Sequence, residues 1–241
     1  MIVGEAGIHI KDIISILMKN NLGNIKQCRT LIKHKHVFIN DICIEDIHYL
    51  VDKDDRIIVD GKEIDAQPFV YYMLNKPKGY LSASYDKDNL CISDIVKRDG
   101  CHCIGRLDKD TTGFLLVTND KTLSKQLLLP KYHIEKKYIV TTRLPIDKSL
   151  VTVFKKGVII DKDIKCQRAL LEIIDDHHCY VTLHEGKYHQ VKKMFLSCCN
   201  EVIELKRTEF ASIELDSSLK EGEYRQLTET ELNILYKKKR G

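Results

Sequence analysis

The apolar residues of this 241-residue chain change their period partway along it. Ile10, Ile13, Ile14 and Leu17 recur at helical spacing, and Cys28, Leu31 and Ile32 do so behind Asn24, a good helix cap. Short paired runs follow. Val37-Phe38-Ile39 and Ile42-Cys43-Ile44 flank Asn40-Asp41, and Arg56 to Val59 and Glu63-Ile64 flank Asp60-Gly61. Both dipeptides are tight-turn signals. Asp65-Ala66-Gln67-Pro68 then reads as a linker, because proline interrupts regular structure. Beyond it come longer strand-like runs at 70–74, 114–118, 137–142, 169–174 and 179–183, with helical patterns at 121–129, 147–156 and 188–197. Thr228 with Glu231 makes a capping box for a last helix through Leu235. Strands outnumber helices and do not alternate with them. The expected class is therefore α+β, with a mixed, largely antiparallel sheet and packed helices in residues 66–241, behind a small unit in residues 1–65.

Charge divides along the same line. From Ile13 to Asn40 there is no acid, while Lys19, Lys26, Arg29, Lys33 and Lys35 are present; from Asp41 to Asp65 there are nine acids. The whole chain is only +4, but residues 66–241 hold 30 basic against 24 acidic residues. The second helix presents Lys26, Arg29 and Lys33 on neighbouring turns, a face that can neutralise phosphates or simply be solvated. The tail Lys237-Lys238-Lys239-Arg240 reads as a frayed, solvated end.

Composition excludes several classes. A hydrophobic share of 43% supports a packed core and rules out collagen-like and disordered chains. Apolar runs such as Phe114 to Val117 are too short to cross a bilayer, so no membrane association is expected. The N-terminus lacks the basic and long apolar stretches of a signal peptide, and the expected compartment is the cytoplasm. The nine cysteines are odd in number, lack a CxxC pair and are expected as free thiols. Cys101-His102-Cys103 and His177-His178-Cys179 carry metal-ligand residue types without the paired spacing of a structural zinc site, and no metal is expected.

Three segments can carry chemistry. Gly105-Arg106-Leu107-Asp108-Lys109-Asp110-Thr111-Thr112-Gly113 sets two carboxylates, an arginine and two hydroxyls in a loop between apolar strands. Its aspartates and glycines equally suit a turn, and two aspartates alone supply too few oxygens for a cation. His184-Glu185-Gly186-Lys187-Tyr188-His189-Gln190-Val191-Lys192-Lys193-Met194-Phe195 turns at Gly186 into a basic helix. Lys187, Lys192 and Lys193 can contact phosphates; Lys192 can instead pair with a carboxylate. Lys136-Lys137-Tyr138 enters a strand, with Tyr138 suited to a core aromatic whose hydroxyl reaches the sheet edge. No phosphate-binding P-loop, nucleophile-elbow serine or H-E-x-x-H pair is present.

In their order, these segments resemble a known family. Residues 8–65 resemble the αL-type RNA-binding domain, although Ile8-His9-Ile10-Lys11-Asp12 departs from its usual first-helix start. From about residue 70 to 232, Tyr72-Met73-Leu74-Asn75-Lys76-Pro77-Lys78-Gly79-Tyr80, the Gly105–Gly113 segment, Lys136-Lys137-Tyr138 and the Glu185–Phe195 segment resemble the RsuA/RluB/RluE/RluF family of RNA pseudouridine synthases. Within that family the Glu185–Phe195 segment is most similar to the RsuA branch. Cys199 stands where the family has a glycine, and Thr208 to Ser212 replaces a stretch that ends in glycine.

The resemblance implies a pseudouridine synthase fold and the isomerisation of a uridine in rRNA, without a cofactor. It implies Asp108 as the catalytic aspartate, Tyr138 as the active-site tyrosine and Lys192 as the basic partner of the aspartate. Arg106 and Thr111 are expected to shape the loop around a flipped nucleotide. Lys187, His189, Gln190 and Lys193, with Lys26, Arg29 and Lys33, are the expected RNA contacts. The expected substrate is 16S rRNA of the small subunit, free or in a ribosomal assembly intermediate, met by a monomer. A 23S rRNA substrate and a non-catalytic ribosome-assembly role are the alternatives.

Overall fold

The computed structural model describes residues 12–52, 55–66, 69–98 and 100–238. The start of the first expected helix (8–11), Gln67-Pro68 and Lys239-Arg240 lie outside the described residues. Packing divides the chain between Val70 and Tyr71 into two compact units. The break expected from sequence falls slightly earlier, after residue 65.

In the first unit, helix α1 (Ile13–Lys19) starts at Asp12, whose carboxylate accepts from the Ser15 N–H at 2.9 Å. Helix α2 (Ile25–Lys33) starts with a reciprocal capping box between Asn24 and Gln27. Strands β1 (Val37–Ile39), β2 (Ile42–Cys43), β3 (Ile57–Val59) and β4 (Lys62–Ile64) form an antiparallel sheet of order β2-β1-β3-β4. Both two-residue turns have left-handed backbones, with φ of 50° and 63° at Asn40-Asp41 and 50° and 75° at Asp60-Gly61. That geometry matches the twist of the strands they join. Ile13, Ile16, Leu17, Cys28 and Ile32 pack against Val37, Ile39, Ile57 and Val59.

The second unit is built on one nine-stranded sheet. Its elements are β5 (Tyr71–Lys76), β6 (His102–Ile104), β7 (Thr112–Thr118), α3 (Lys121–Leu127), β8 (Lys136–Thr142), α4 (Leu150–Lys156), β9 (Ile159–Ile160), β10 (Ile164–Lys165), β11 (Leu170–Ile173), β12 (His178–Leu183), α5 (Gln190–Ser197), β13 (Val202–Phe210), β14 (Ile213–Glu214), β15 (Tyr224–Gln226) and α6 (Glu229–Lys238). The sheet runs β11-β12-β8-β13-β7-β5-β15, with β14 on β13 and β6 on β7. β7 and β13 run parallel, and every other pairing among the described strands is antiparallel. Leu115, Val117, Val140 and Val181 of the sheet pack with Phe154 of α4 and Met194 and Phe195 of α5 in one core. No helix among the described residues is long and apolar enough to cross a membrane.

Several boundaries differ from the sequence pattern for local reasons. Helix α3 stops at Leu127 rather than 129, because Pro130 holds Leu129 extended at ψ 128° and opens a short 3₁₀ turn. Helix α5 starts at Gln190 rather than 188, because His189 has a left-handed backbone at φ 53°. β13 was not expected as a strand. Its charged run carries two register shifts against β8, which erase the two-residue alternation.

The two departures from family glycines keep glycine-like backbones: φ is 58° at Cys199, 55° at Ala211 and 63° at Ser212. A side chain in that region is strained, while glycine costs more chain entropy on folding. Cys199→Gly, at an exposed site, is expected to stabilise the protein by about 0.5–1 kcal/mol. A rise in the urea midpoint at constant slope checks it.

Candidate active site

The Gly105–Gly113 loop leaves β6 and enters β7, and its carbonyls are held from below. The Ser82 hydroxyl donates to Leu107 O and accepts from the Leu107 N–H, each at 2.9 Å. The Gly79 N–H donates to Lys109 O at 2.7 Å. Lys76, the last residue of β5, is fully buried, and its ammonium donates to Thr111 O (2.8 Å), Pro77 O (3.0 Å) and Lys109 O (3.3 Å). Those three bonds use all its donors. Burial lowers the Lys76 pKa to about 8, against the opposing pull of Asp110 and Asp108.

The far end of the loop is fixed by contact between backbones. One row of paired residues crosses five strands: Val181, Tyr138, Arg207, Gly113 and Lys76. Gly113 has φ 99°, and a Cβ there would lie 2.3 Å from Arg207 O. Only glycine fits. Arg207 is 1% exposed, and its Nε–H donates to Phe114 O at 2.7 Å. The guanidinium carbon sits 5.0 Å from the centre of the Phe210 ring, and Nη2 has no hydrogen-bond partner among the described residues. Arg207 therefore grips the start of β7 with both main chain and side chain.

On this frame four charged or titratable side chains converge. Lys192 of α5 lies 3.2 Å from Asp108 Oδ2 and 2.5 Å from Asp110 Oδ1. His189 Nε2 is 3.6 Å from Asp108 Oδ1. The Asp108 side chain is 26% exposed and that of Asp110 60%. Burial pushes the Asp110 carboxyl up, but the hydrogen bond and charge of Lys192 outweigh it and hold the pKa below the usual range. Tyr138 is buried in the core cluster that also contains Leu107 and Val191, and its hydroxyl makes no hydrogen bond to the described residues. Among the described residues no three His, Cys, Asp or Glu side chains converge to hold a metal ion. All nine cysteines are free thiols.

The other expected site residues are placed as follows. Arg106 is exposed and unpaired among the described residues. Thr111 is buried, and its N–H donates to Asp108 O at 3.1 Å, closing the turn. Gln190, expected as an RNA contact, is 4% exposed, so its side chain cannot face a ligand. Its amide accepts from the Lys187 N–H and donates to Glu185, locking the turn before α5. Lys187 is paired with Glu185, and Lys193 with Asp161. In the first unit Lys26, Arg29 and Lys33 are all exposed; Arg29 and Lys33 share a groove with Lys35, Glu45 and Ile47, and Lys26 lies one turn earlier on α2.

The family model described as RNA pseudouridylate synthase matches residues 70–197, which hold this whole cluster. The chain belongs to that family. The S4 domain model matches residues 19–57. The chain is 38% identical over 229 residues to the Bacillus subtilis RNA pseudouridine synthase YtzG, covering 91% of this chain and 96% of that protein. It is 35% identical to ribosomal small subunit pseudouridine synthase A of Haemophilus influenzae (88% and 93% covered) and 42% identical to the Escherichia coli protein of that name (67% and 72%). A crystal structure of a pseudouridylate synthase superposes with a TM-score of 0.68 at 32% identity, covering 93% of this chain and 99% of that one. The protein is thus an RNA pseudouridine synthase, an isomerase, with an S4 domain ahead of a pseudouridine synthase fold.

In this pseudouridine synthase, sequence reasoning passed over Arg207, Lys76 and Asp110 as site residues. Lys76 and Arg207 are charged residues that only the assembled sheet buries. Asp110 was visible as a second carboxylate, but its short contact to Lys192 is tertiary. Gly113→Ala is expected to cost about 3 kcal/mol or more, since backbone must move to admit the methyl. Gly79→Ala, at φ 93° with open space around it, is expected to cost only about 1 kcal/mol. Urea unfolding of the two variants checks the contrast.

Proposed function

We propose that this chain isomerises a specific uridine of small-subunit rRNA to pseudouridine, with Asp108 as the reacting carboxylate. The similarity to small-subunit enzymes supports the substrate. The observation that carries the chemistry is the Asp108 carboxylate, partly open to solvent beside Lys192 and His189. The loop carbonyls on both sides of it, at Leu107 and Lys109, are already bonded. The side chain is then the part of the loop left to act on a substrate.

The reaction conserves atoms and electrons. The N1–C1′ bond breaks, the uracil turns, a C5–C1′ bond forms, C5 loses a proton and N1 gains one. A carboxylate acting at C1′, or as the first base, must be ionised and fixed. Lys192 fixes it by ion pairing from a helix anchored in the core. Asp110 holds the same ammonium from the other side. The target uridine leaves its stack to reach Asp108, because the bond to be broken is shielded while the base stays stacked. Tyr138, with its hydroxyl free of other bonds, packs against the base. Arg106 stands free at the loop surface for the nucleotide backbone. The first unit recruits RNA, with Lys26, Arg29 and Lys33 facing phosphates. On this reading the protein works in the cytoplasm.

Release of tritium from C5-labelled uridine in an rRNA transcript measures the isomerisation directly. Asp108→Asn is expected to lower it by about a thousand-fold or more with the fold intact. Near-normal release by that variant would refute the role of Asp108. Arg29→Ala with Lys33→Ala is expected to flatten the dependence of log affinity on log salt by up to about 1.8, close to one phosphate contact each. An unchanged salt slope would remove α2 from the RNA interface.

A further inference from the structure

Tyr188 is given no part in the chemistry above, yet it is placed as though it had one. Its ring is 74% exposed. It is nonetheless held: it stacks on the His189 imidazole with centroids 3.9 Å apart and planes 18° from parallel, and Lys193 Nζ lies 5.1 Å from its centre. The stack reaches the reacting group through His189, whose Nε2 is 3.6 Å from Asp108 Oδ1.

The turn beneath is built to hold this stack. His189 keeps a left-handed backbone at φ 53° without being glycine or asparagine. Buried Gln190 ties the Lys187 N–H to Glu185, and Glu185 also accepts from the Gln167 N–H at 2.8 Å. A ring this exposed adds little to the core, so fold stability does not explain the arrangement. The neighbouring cations are largely spoken for: Lys187 by Glu185, Lys192 by the two aspartates and Lys193 by Asp161. What the surface offers outward is a largely exposed aromatic ring with the partly neutralised Lys193 ammonium over it. That combination suits an unstacked nucleobase better than a phosphate.

We propose that the Tyr188–His189 stack is a platform for the nucleobase next to the target uridine, and that it selects the single-stranded context in which the uridine is presented. This deepens the reading given under Proposed function and rests on it. His189 contacts both Asp108 and Tyr188, and this one-residue remove suits Tyr188 to a flanking base rather than to the target.

The test uses the full chain and small- and large-subunit rRNA transcripts labelled with tritium at uridine C5. Tyr188→Ala is expected to raise KM about ten- to a hundred-fold, the usual effect of losing one base–aromatic stack, with kcat within about threefold of wild type. Tyr188→Leu, apolar but without a π face, behaves as the alanine variant does. Tyr188→Phe brings KM back to within about threefold of wild type, because the ring is what matters. Thermal midpoints of all three variants stay near that of wild type. Wild-type KM in Tyr188→Ala, or a KM rescued by leucine as well as by phenylalanine, overturns the proposal. Silence of the wild-type protein on both rRNAs, as free transcripts and as particles partly assembled with ribosomal proteins, overturns the underlying reading, and the proposal with it.

Discussion

The close approach of β13 to β7 at Gly113 sets the rest of the catalytic unit. A parallel pair at the middle of the sheet brings the Arg207 carbonyl to where any side chain at residue 113 would stand. Parallel neighbours need a long crossover, and here it comprises nearly everything between β7 and β13, including the turn and helix that carry His189 and Lys192. The loop that ends at Gly113 and the helix that ends before β13 are thereby brought to the same end of the sheet. Asp108 meets Lys192, 84 residues later, because of that pairing.

Charge is handled in two layers. Behind the loop, two buried cations bond to carbonyl oxygens rather than to carboxylates, Lys76 to Thr111 O and Arg207 to Phe114 O, and the half-buried Lys136 does the same to Ile134 O at 2.7 Å. Partial burial, helped by the Arg207 charge, lowers Lys136 to about 8. Above the loop, one ammonium serves two carboxylates. A buried cation is costly unless its protons are bonded, and for Lys76 the loop carbonyls of Lys109 and Thr111 supply two of those bonds. The same bonds stiffen the backbone that carries Asp108. Electrostatic satisfaction of Lys76 and positioning of Asp108 are here the same set of contacts.

Much of this was legible in the sequence because its signals are local. The Asn24–Gln27 capping box, the left-handed turns at Asn40-Asp41 and Asp60-Gly61, and the Thr228–Glu231 capping pair are each settled within four residues. The family motif marked the loop around Asp108 and the turn before α5. What escaped notice is set by distant parts of the chain. Arg207 and Lys76 carry the charge of surface residues and become buried only when five strands align. Gln190 looks like a polar helix-start residue exposed to RNA, and the structure uses it inside a turn. β13 was hidden by its own bulges.

The central claim is that this frame exists to present one carboxylate to one uridine of small-subunit rRNA. The most direct test maps pseudouridine across both rRNAs in cells whose own copy of the gene carries Asp108→Asn. The account predicts that a single small-subunit position reverts to uridine while the large-subunit map is unchanged. An unaltered small-subunit map, or a position lost from the large subunit instead, would contradict it.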